Sequence, residues 1–226
     1  MASWSASNSS SARREQRGLA WWLALAVCKP PLAAVRQADW RRVERIPRSG
    51  GAVVAANHVS HIDPLLIAEM LLAHGRVPRF LAKDSLFRAP VVGWWFRAAG
   101  HVEVDRVAGR GAYSDAVAAA RTGRLLLVYP EASITRRPDG MPMPMKSGGV
   151  RIALEASVPL VPVAQWGAQA ILPAYSRRLH VGRRTRVAIA VGEPIRLDDL
   201  KDVDLPSAVE IGLRRLEEAL TSWSES

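Results

Sequence analysis

Gly51-Ala52-Val53-Val54-Ala55-Ala56-Asn57-His58-Val59-Ser60-His61-Ile62-Asp63-Pro64 is the stretch on which the reading of this chain turns. Ala52 to Ala56 is a short apolar run of strand length, and Pro64 to His74 is a helix-like segment stopped by Gly75. A strand therefore passes through a polar loop directly into a helix. Downstream the alternation repeats. Arg79 to Ala82 reads as a strand, Leu86 to Ala98 as a helix, His101 to Val104 as a strand, Ala112 to Arg121 as a helix and Leu125 to Tyr129 as the clearest strand. Ser147 to Ala156 reads as helical, Leu160 to Val163 and Val187 to Val191 as strands, and Ala208 to Trp223 as an amphipathic closing helix. Strands interleaved with helices predict an α/β fold, a mixed, largely parallel sheet flanked by helices.

The loop inside the opening stretch carries the candidate chemistry. On a regular helix His58 and Asp63 would lie about 140° apart and could not meet on one face, so they need a turn between them. Pro64 is suited to the first helical position, and Asp63 just before it sits where a helix cap belongs. A carboxylate held near the positive helix end stays ionised; if it accepts the proton on one ring nitrogen of His58, the other nitrogen is left free as a base. That is the base-and-orienter half of a catalytic triad, with a substrate hydroxyl as nucleophile. Alone, such a pair would read rather as a helix cap beside a satisfied loop histidine. His61, two residues from Asp63, is a rival base. The H-x-x-H of His58 and His61 lacks the adjacent Glu of a metalloprotease, and no metal is expected.

Around this loop, composition sets limits. The 226 residues, 49% of them hydrophobic, suffice for one sizeable core but not for two. Lys and Arg number 31 against 21 Asp and Glu, a formal net charge of +10, so the surface seeks anions: anionic lipid, phosphorylated substrate or nucleic acid. No nucleic-acid motif is recognisable, and nucleic acid is not expected as a partner. The pairs Trp21-Trp22 and Trp94-Trp95 sit in apolar stretches, where indoles suit a membrane interface or an ordinary core. The single cysteine, Cys28, excludes an internal disulfide and reads as a packed thiol in a reducing compartment.

Residues 1–17 read as a disordered tail, Ser-rich at first and then basic with Arg13, Arg14 and Arg17. The apolar run Leu19 to Val27 that follows is closed by Lys29-Pro30-Pro31, far short of the roughly 20 residues that span a bilayer. Residues 18–50 are expected to form an interfacial anchor, a helix-break-helix hairpin whose basic flanks meet anionic headgroups. The alternative is a helix packed on the domain.

The blocks taken together resemble the glycerolipid acyltransferase family, of the 1-acyl-sn-glycerol-3-phosphate acyltransferase, PlsC-like kind. Asn57-His58 to Asp63 is similar to its N-H-x-x-x-x-D block, and Gly100-His101-Val102-Glu103-Val104-Asp105-Arg106 to its second block, which ends in a substrate-phosphate arginine. Tyr129-Pro130-Glu131-Ala132-Ser133-Ile134-Thr135 resembles F-P-E-G-T-R-S; Lys146-Ser147-Gly148-Gly149 and the strand Val161-Pro162-Val163-Ala164 resemble the last elements. The resemblance makes residues 51–226 the catalytic domain, His58 the general base, Asp63 its orienting partner, and Arg106 and Glu131 walls of the substrate site. Glu131 directly follows a buried strand, where open α/β sheets place ligands; it could hold a glycerol hydroxyl, fix a phosphate-binding basic residue, or form a structural ion pair.

Two departures stand in the third block. Ala132 replaces a glycine that would let backbone approach a ligand, and Ile134 replaces an arginine that would clamp phosphate bidentately. Arg136, Arg137, Lys83 and Lys146 are the candidates to supply the missing charge, and Gly148 opens a helix whose amides could meet an anion. The resemblance implies transfer of a fatty acyl group from acyl-CoA or acyl carrier protein, as co-substrate with no further cofactor, to a lysophospholipid such as 1-acylglycerol-3-phosphate, giving phosphatidic acid. It also implies a peripheral or monotopic enzyme on the cytoplasmic face of the cell membrane. Another lysophospholipid, a glycolipid or glycerol phosphate as acceptor, or a noncatalytic basic membrane-binding protein, are the alternatives.

Overall fold

Ala52–Ala56 forms a strand that is buried along its whole length, and its alternate residues enter two different cores. Ala52, Val54 and Ala56 face one core; Val53 and Ala55 face the other. Side chains of a strand alternate between faces, so a strand covered on both sides is continuously apolar. The same division runs through Leu125–Val128, where Leu125 and Leu127 face the first core and Leu126 and Val128 the second.

The computed structural model describes residues 18–104, 110–137, 139–176, 178–180, 182, 184–200 and 202–222. In chain order the strands are β1 Arg36–Arg41, β2 Ala52–Ala56, β3 Pro78–Lys83, β4 Val102–Val104, β5 Leu125–Val128, β6 Leu160–Trp166 and β7 Thr185–Val191. The helices are α1 Leu19–Val35, α2 Asp63–His74, α3 Asp84–Arg88, α4 Pro90–Ala98, α5 Arg110–Arg121, α6 Gly148–Ala156, α7 Ala168–Ile171 and α8 Leu205–Thr221. The strands form one sheet in the order β1-β7-β6-β2-β5-β3-β4. From β6 to β4 every neighbouring pair is parallel, β7 runs antiparallel to β6, and β1 is parallel to β7. The expected mixed, largely parallel sheet between helix layers is what forms.

Topology places the site. After β2 the chain crosses into α2, whose Leu66, Ile67 and Leu71 belong to the first core; after β5 it reaches α6, whose Val150, Ile152 and Ala153 belong to the second. The adjacent strands β2 and β5 thus send their connections to opposite faces, opening a crevice at their carboxyl ends, where such sheets bind ligands.

Three segments differ from the sequence expectation. The region expected as one helix divides into α3 and α4 because Pro90 cannot donate a backbone hydrogen bond and biases Ala89 toward the extended φ −68°, ψ 131° it adopts. Gly93 lets the two meet closely, since a Cβ there would strike the Phe87 carbonyl. Residues 36–41, read as part of the N-terminal anchor segment, form the edge strand β1, tied to α2 by a buried Arg36–Glu69 ion pair. The expected helix-break-helix hairpin is instead a single helix that continues through Pro30 and Pro31. Those prolines withdraw hydrogen bonds from the Ala26 and Val27 carbonyls, but both residues are exposed, so the carbonyls can be solvated, and Trp21 and Leu32 bury against the core. Helix α1 packs on the domain by this face, and Trp95 Nε1 donates to Ala20 O at 2.8 Å. Its other face leaves Leu19, Trp22, Leu23 and Val27 exposed. No helix among the described residues is long and apolar enough to cross a membrane.

Candidate active site

The loop from Asn57 to Ile62 is held open at the end of β2 by a set of side-chain bonds. Asn57 extends the β2–β6 ladder past the strand: its Nδ2 donates to Gln165 O at 3.1 Å, its Oδ1 accepts from Gln165 N at 2.8 Å, and its carbonyl accepts from Gln165 Nε2 at 2.9 Å. Ser60 Oγ donates to Leu172 O at 2.6 Å, anchoring the loop's far side.

Within the loop, His58 Nδ1 stands 2.8 Å from Asp63 Oδ2. A carboxylate only accepts, so Nδ1 carries the proton. The same oxygen accepts Val59 N and Ser60 N, each at 2.7 Å. Asp63 is therefore not the cap expected of it. It is the first helical residue, Ile62 occupies the cap position, and the carboxylate ties down the preceding loop. Burial pushes the Asp63 carboxyl up, and the hydrogen bonds from His58 and the two amides hold it back. His58 Nε2 has no partner among the described residues, and its side chain, 15% exposed, can be reached from the crevice. An imidazole bound to a carboxylate on one nitrogen and open on the other is arranged to take a proton from a hydroxyl. His61 is exposed, with its ring edge against Tyr175, and it forms no ion pair with a carboxylate among the described residues.

Glu131 stands at the carboxyl end of β5, as expected, but its oxygens are engaged. Oε1 accepts His58 N at 2.8 Å and Oε2 accepts Met143 N at 2.9 Å. It forms no ion pair among the described residues and clasps the His58 loop to the segment before α6. Each oxygen keeps a second lone pair for a ligand. Burial raises its pKa, opposed by the bonds from Met143 and His58.

Lys83 ends β3 and is exposed, Lys146 is exposed ahead of α6, and Gly148 is exposed at the first turn of that helix. Gly149, rather than Gly148, is the tightly packed glycine: a Cβ there would lie 2.9 Å from Val128 Cγ2. Arg136 is exposed, its guanidinium 5.7 Å from the Tyr175 ring centroid and its Nε 3.4 Å from the Tyr175 hydroxyl. Arg137 is paired with Asp139 at 2.6 Å. Arg106 lies outside the described residues. Ile134, at the position of the missing arginine, is buried, and Thr135 N donates to His58 O at 2.7 Å.

The sequence reading missed Tyr129 and Gln165. The Tyr129 ring stacks on His58 with centroids 4.1 Å apart and planes inclined by 24°. Tyrosine in place of the pattern's phenylalanine was the signal available. Gln165 gave none, because its role depends on β6 lying beside β2.

A family model described as Acyltransferase matches residues 38–166. The 1-acyl-sn-glycerol-3-phosphate acyltransferase alpha of Ovis aries is 29% identical over 84% of this chain and 73% of its own length. The 1-acyl-sn-glycerol-3-phosphate acyltransferase of Bacillus subtilis is 25% identical over 73% of this chain and 75% of its own. A chloroplastic 1-acyl-sn-glycerol-3-phosphate acyltransferase, BAT2 of Brassica napus, is 30% identical, and the match covers 39% of that protein's length. The crystal structure of the 1-acyl-sn-glycerophosphate (LPA) acyltransferase PlsC from Thermotoga maritima superposes with a TM-score of 0.70 over 91% of this chain and 80% of that one, at 23% identity. That likeness is one of fold. Because the family model spans more than half of its residues, this chain belongs to the acyltransferase family.

Proposed function

We propose that this enzyme transfers a fatty acyl group from acyl-CoA or acyl carrier protein to the free hydroxyl of 1-acylglycerol-3-phosphate, giving phosphatidic acid. The observation that carries the reading is the 2.8 Å contact of His58 Nδ1 with Asp63 Oδ2 at the crevice between β2 and β5. The acceptor named for the relatives supports the substrate class. His58 Nε2 removes the hydroxyl proton as the oxygen attacks the thioester carbonyl. The tetrahedral oxyanion then collapses, the carbon–sulfur bond breaks, and the imidazolium returns its proton to the leaving thiolate. Asp63 holds the tautomer and balances the imidazolium charge. No covalent acyl-enzyme is needed.

Lys83, Arg106, Arg136 and Lys146 are assigned to the anionic headgroup and donor phosphates, with Glu131 and the Gly148 amide beside them. The acyl chain is assigned to the apolar cleft between α1 and α2, lined by Trp21, Leu25, Cys28, Leu65, Phe80 and Trp95. Burial pushes the Cys28 thiol up, so it serves there as an apolar wall. The exposed apolar residues of α1, with Val91, Val92 and Trp94 of α4, form a face that would rest in one leaflet of an anionic membrane.

Purified protein given lysophosphatidic acid and acyl-CoA is expected to release phosphatidic acid. His58→Ala should abolish release while folding and vesicle binding persist. Full turnover by that variant would overturn the assignment of the base. A wild-type protein that binds anionic vesicles yet acylates no acceptor in a panel of lysophospholipids, glycolipids and glycerol phosphate would be a noncatalytic membrane-binding protein.

A further inference from the structure

Tyr129 is the last residue before the Pro130-Glu131 turn. Its hydroxyl is sealed from solvent beside the Gln165 side-chain amide and makes no well-formed hydrogen bond among the described residues. Asp63 Oδ1, the carboxylate oxygen that His58 does not use, is likewise buried and without a partner. The Asp63 charge acts on the Tyr129 hydroxyl, and the Gln165 amide, whose Oε1 is also buried without a partner among the described residues, lies beside it. A buried acceptor and a buried donor left unpaired near one another are costly in an apolar interior, and the cost is relieved when they join.

We propose that Tyr129 is a positioning residue for acyl transfer: its ring carries the His58 imidazole face to face, and its hydroxyl donates to Asp63 Oδ1 as charge develops on the dyad. The proposal rests on the reading of His58 and Asp63 as base and orienter. Neutral imidazole stacks on the phenol ring at 4.1 Å, and once protonated it becomes a cation over an aromatic face, an attractive arrangement. The second oxygen of Asp63 must then carry its share of negative charge, and the phenol supplies the donor. Burial, then the Asp63 charge, keeps the Tyr129 hydroxyl protonated far above neutral pH, so it can donate throughout the working range. The other ionisable group among the described residues that acts on the dyad is Glu131, from the turn after β5. The hydroxyl is an addition of this chain, since the pattern it resembles has phenylalanine at this position.

The test compares Tyr129→Phe, Tyr129→Leu and His58→Ala with the wild-type full chain, measuring kcat and KM for both substrates from pH 5 to 9. Tyr129→Phe keeps the stack and removes one oxygen. Its kcat should fall roughly 10-fold, the scale of a hydrogen bond to a charged group, with both KM values within about twofold. The acid limb of its kcat/KM profile should move to higher pH, because an Asp63 relieved of one donor holds a proton on the pair more strongly. Tyr129→Leu should lose more kcat than Tyr129→Phe at similar KM. A Tyr129→Phe enzyme with wild-type kcat and an unmoved limb, or variants whose loss lies in KM, would overturn the proposal while an inactive His58→Ala left the dyad standing. An active His58→Ala would instead remove the dyad itself.

Discussion

One carboxylate oxygen, Asp63 Oδ2, accepts both the His58 imidazole N–H at 2.8 Å and the amides of Val59 and Ser60 at 2.7 Å. The carboxylate proposed to orient the base therefore also folds the loop that carries His58. Asp63→Asn removes the charge that balances the imidazolium, while the amide oxygen, turned to the place of Oδ2, still accepts the loop amides. Turnover should fall about 100- to 10,000-fold, the range of general-base catalysis, with a far smaller loss in thermal stability. Parallel measurement of kcat and the unfolding midpoint checks this.

The proposed membrane docking can be separated from the proposed chemistry, because the exposed apolar residues lie on α1 and α4 and the dyad lies at the carboxyl end of the central strand β2. Trp22 and Trp94 are 56% and 53% exposed, so Trp22→Glu and Trp94→Glu change residues outside the two buried core clusters. The double variant should bind anionic vesicles at least about tenfold more weakly, the scale of withdrawing two amphipathic rings from an interface and adding two like charges to those of the lipid. Vesicle cosedimentation reads the binding. Acylation of a short-chain, monomeric acceptor should be nearly unchanged.

What could be read from the chain followed burial. β2 and β5 were legible because both their faces are covered, leaving only apolar residues in Ala52–Ala56 and Leu125–Val128. β1 was not, because it is an edge strand bearing Arg36, Asp39 and Arg41, and charge on an edge hides strand character while protecting it from unwanted pairing. The continuous α1 was misread because proline propensity is local, whereas Trp21 and Leu32 hold the helix through tertiary packing. In the site, His58, Asp63 and Glu131 were named from a pattern. The stack of Tyr129 on His58 and the clamp of Asn57 on Gln165 needed the order of strands in space.

Ala132 shows how one departure from the pattern is tolerated. It adopts φ 58°, in the left-handed region, within the turn where Ala132 N donates to Tyr129 O at 2.9 Å. A Cβ there costs about 1–2 kcal/mol relative to glycine, partly offset because alanine restricts the unfolded chain by about 0.4–1 kcal/mol. Ala132→Gly should therefore raise stability by roughly 0.5–1 kcal/mol. Urea denaturation would show a higher midpoint at unchanged slope, and a lower midpoint would contradict the strain.

Glu131 makes a prediction about acid. Burial lifts its pKa above the ordinary glutamate value of 4.5, outweighing the amides of Met143 and His58 that pull it down. The folded chain therefore keeps this proton to higher pH than the unfolded chain does. Stability from the neutral form is fully present below 4.5 and is lost as pH rises through the folded value. Asp63, also raised by burial, contributes with the same sign. Glu131→Gln removes one of these two terms. It also sets an amide NH2 against one of two backbone donors, a pH-independent cost of about 1–3 kcal/mol. The variant should be less stable throughout, yet its denaturation midpoint should decline less steeply than that of the wild type between pH 4 and pH 7. Equal slopes would mean that the carboxylate enters the fold already ionised, with its two amide bonds outweighing its burial.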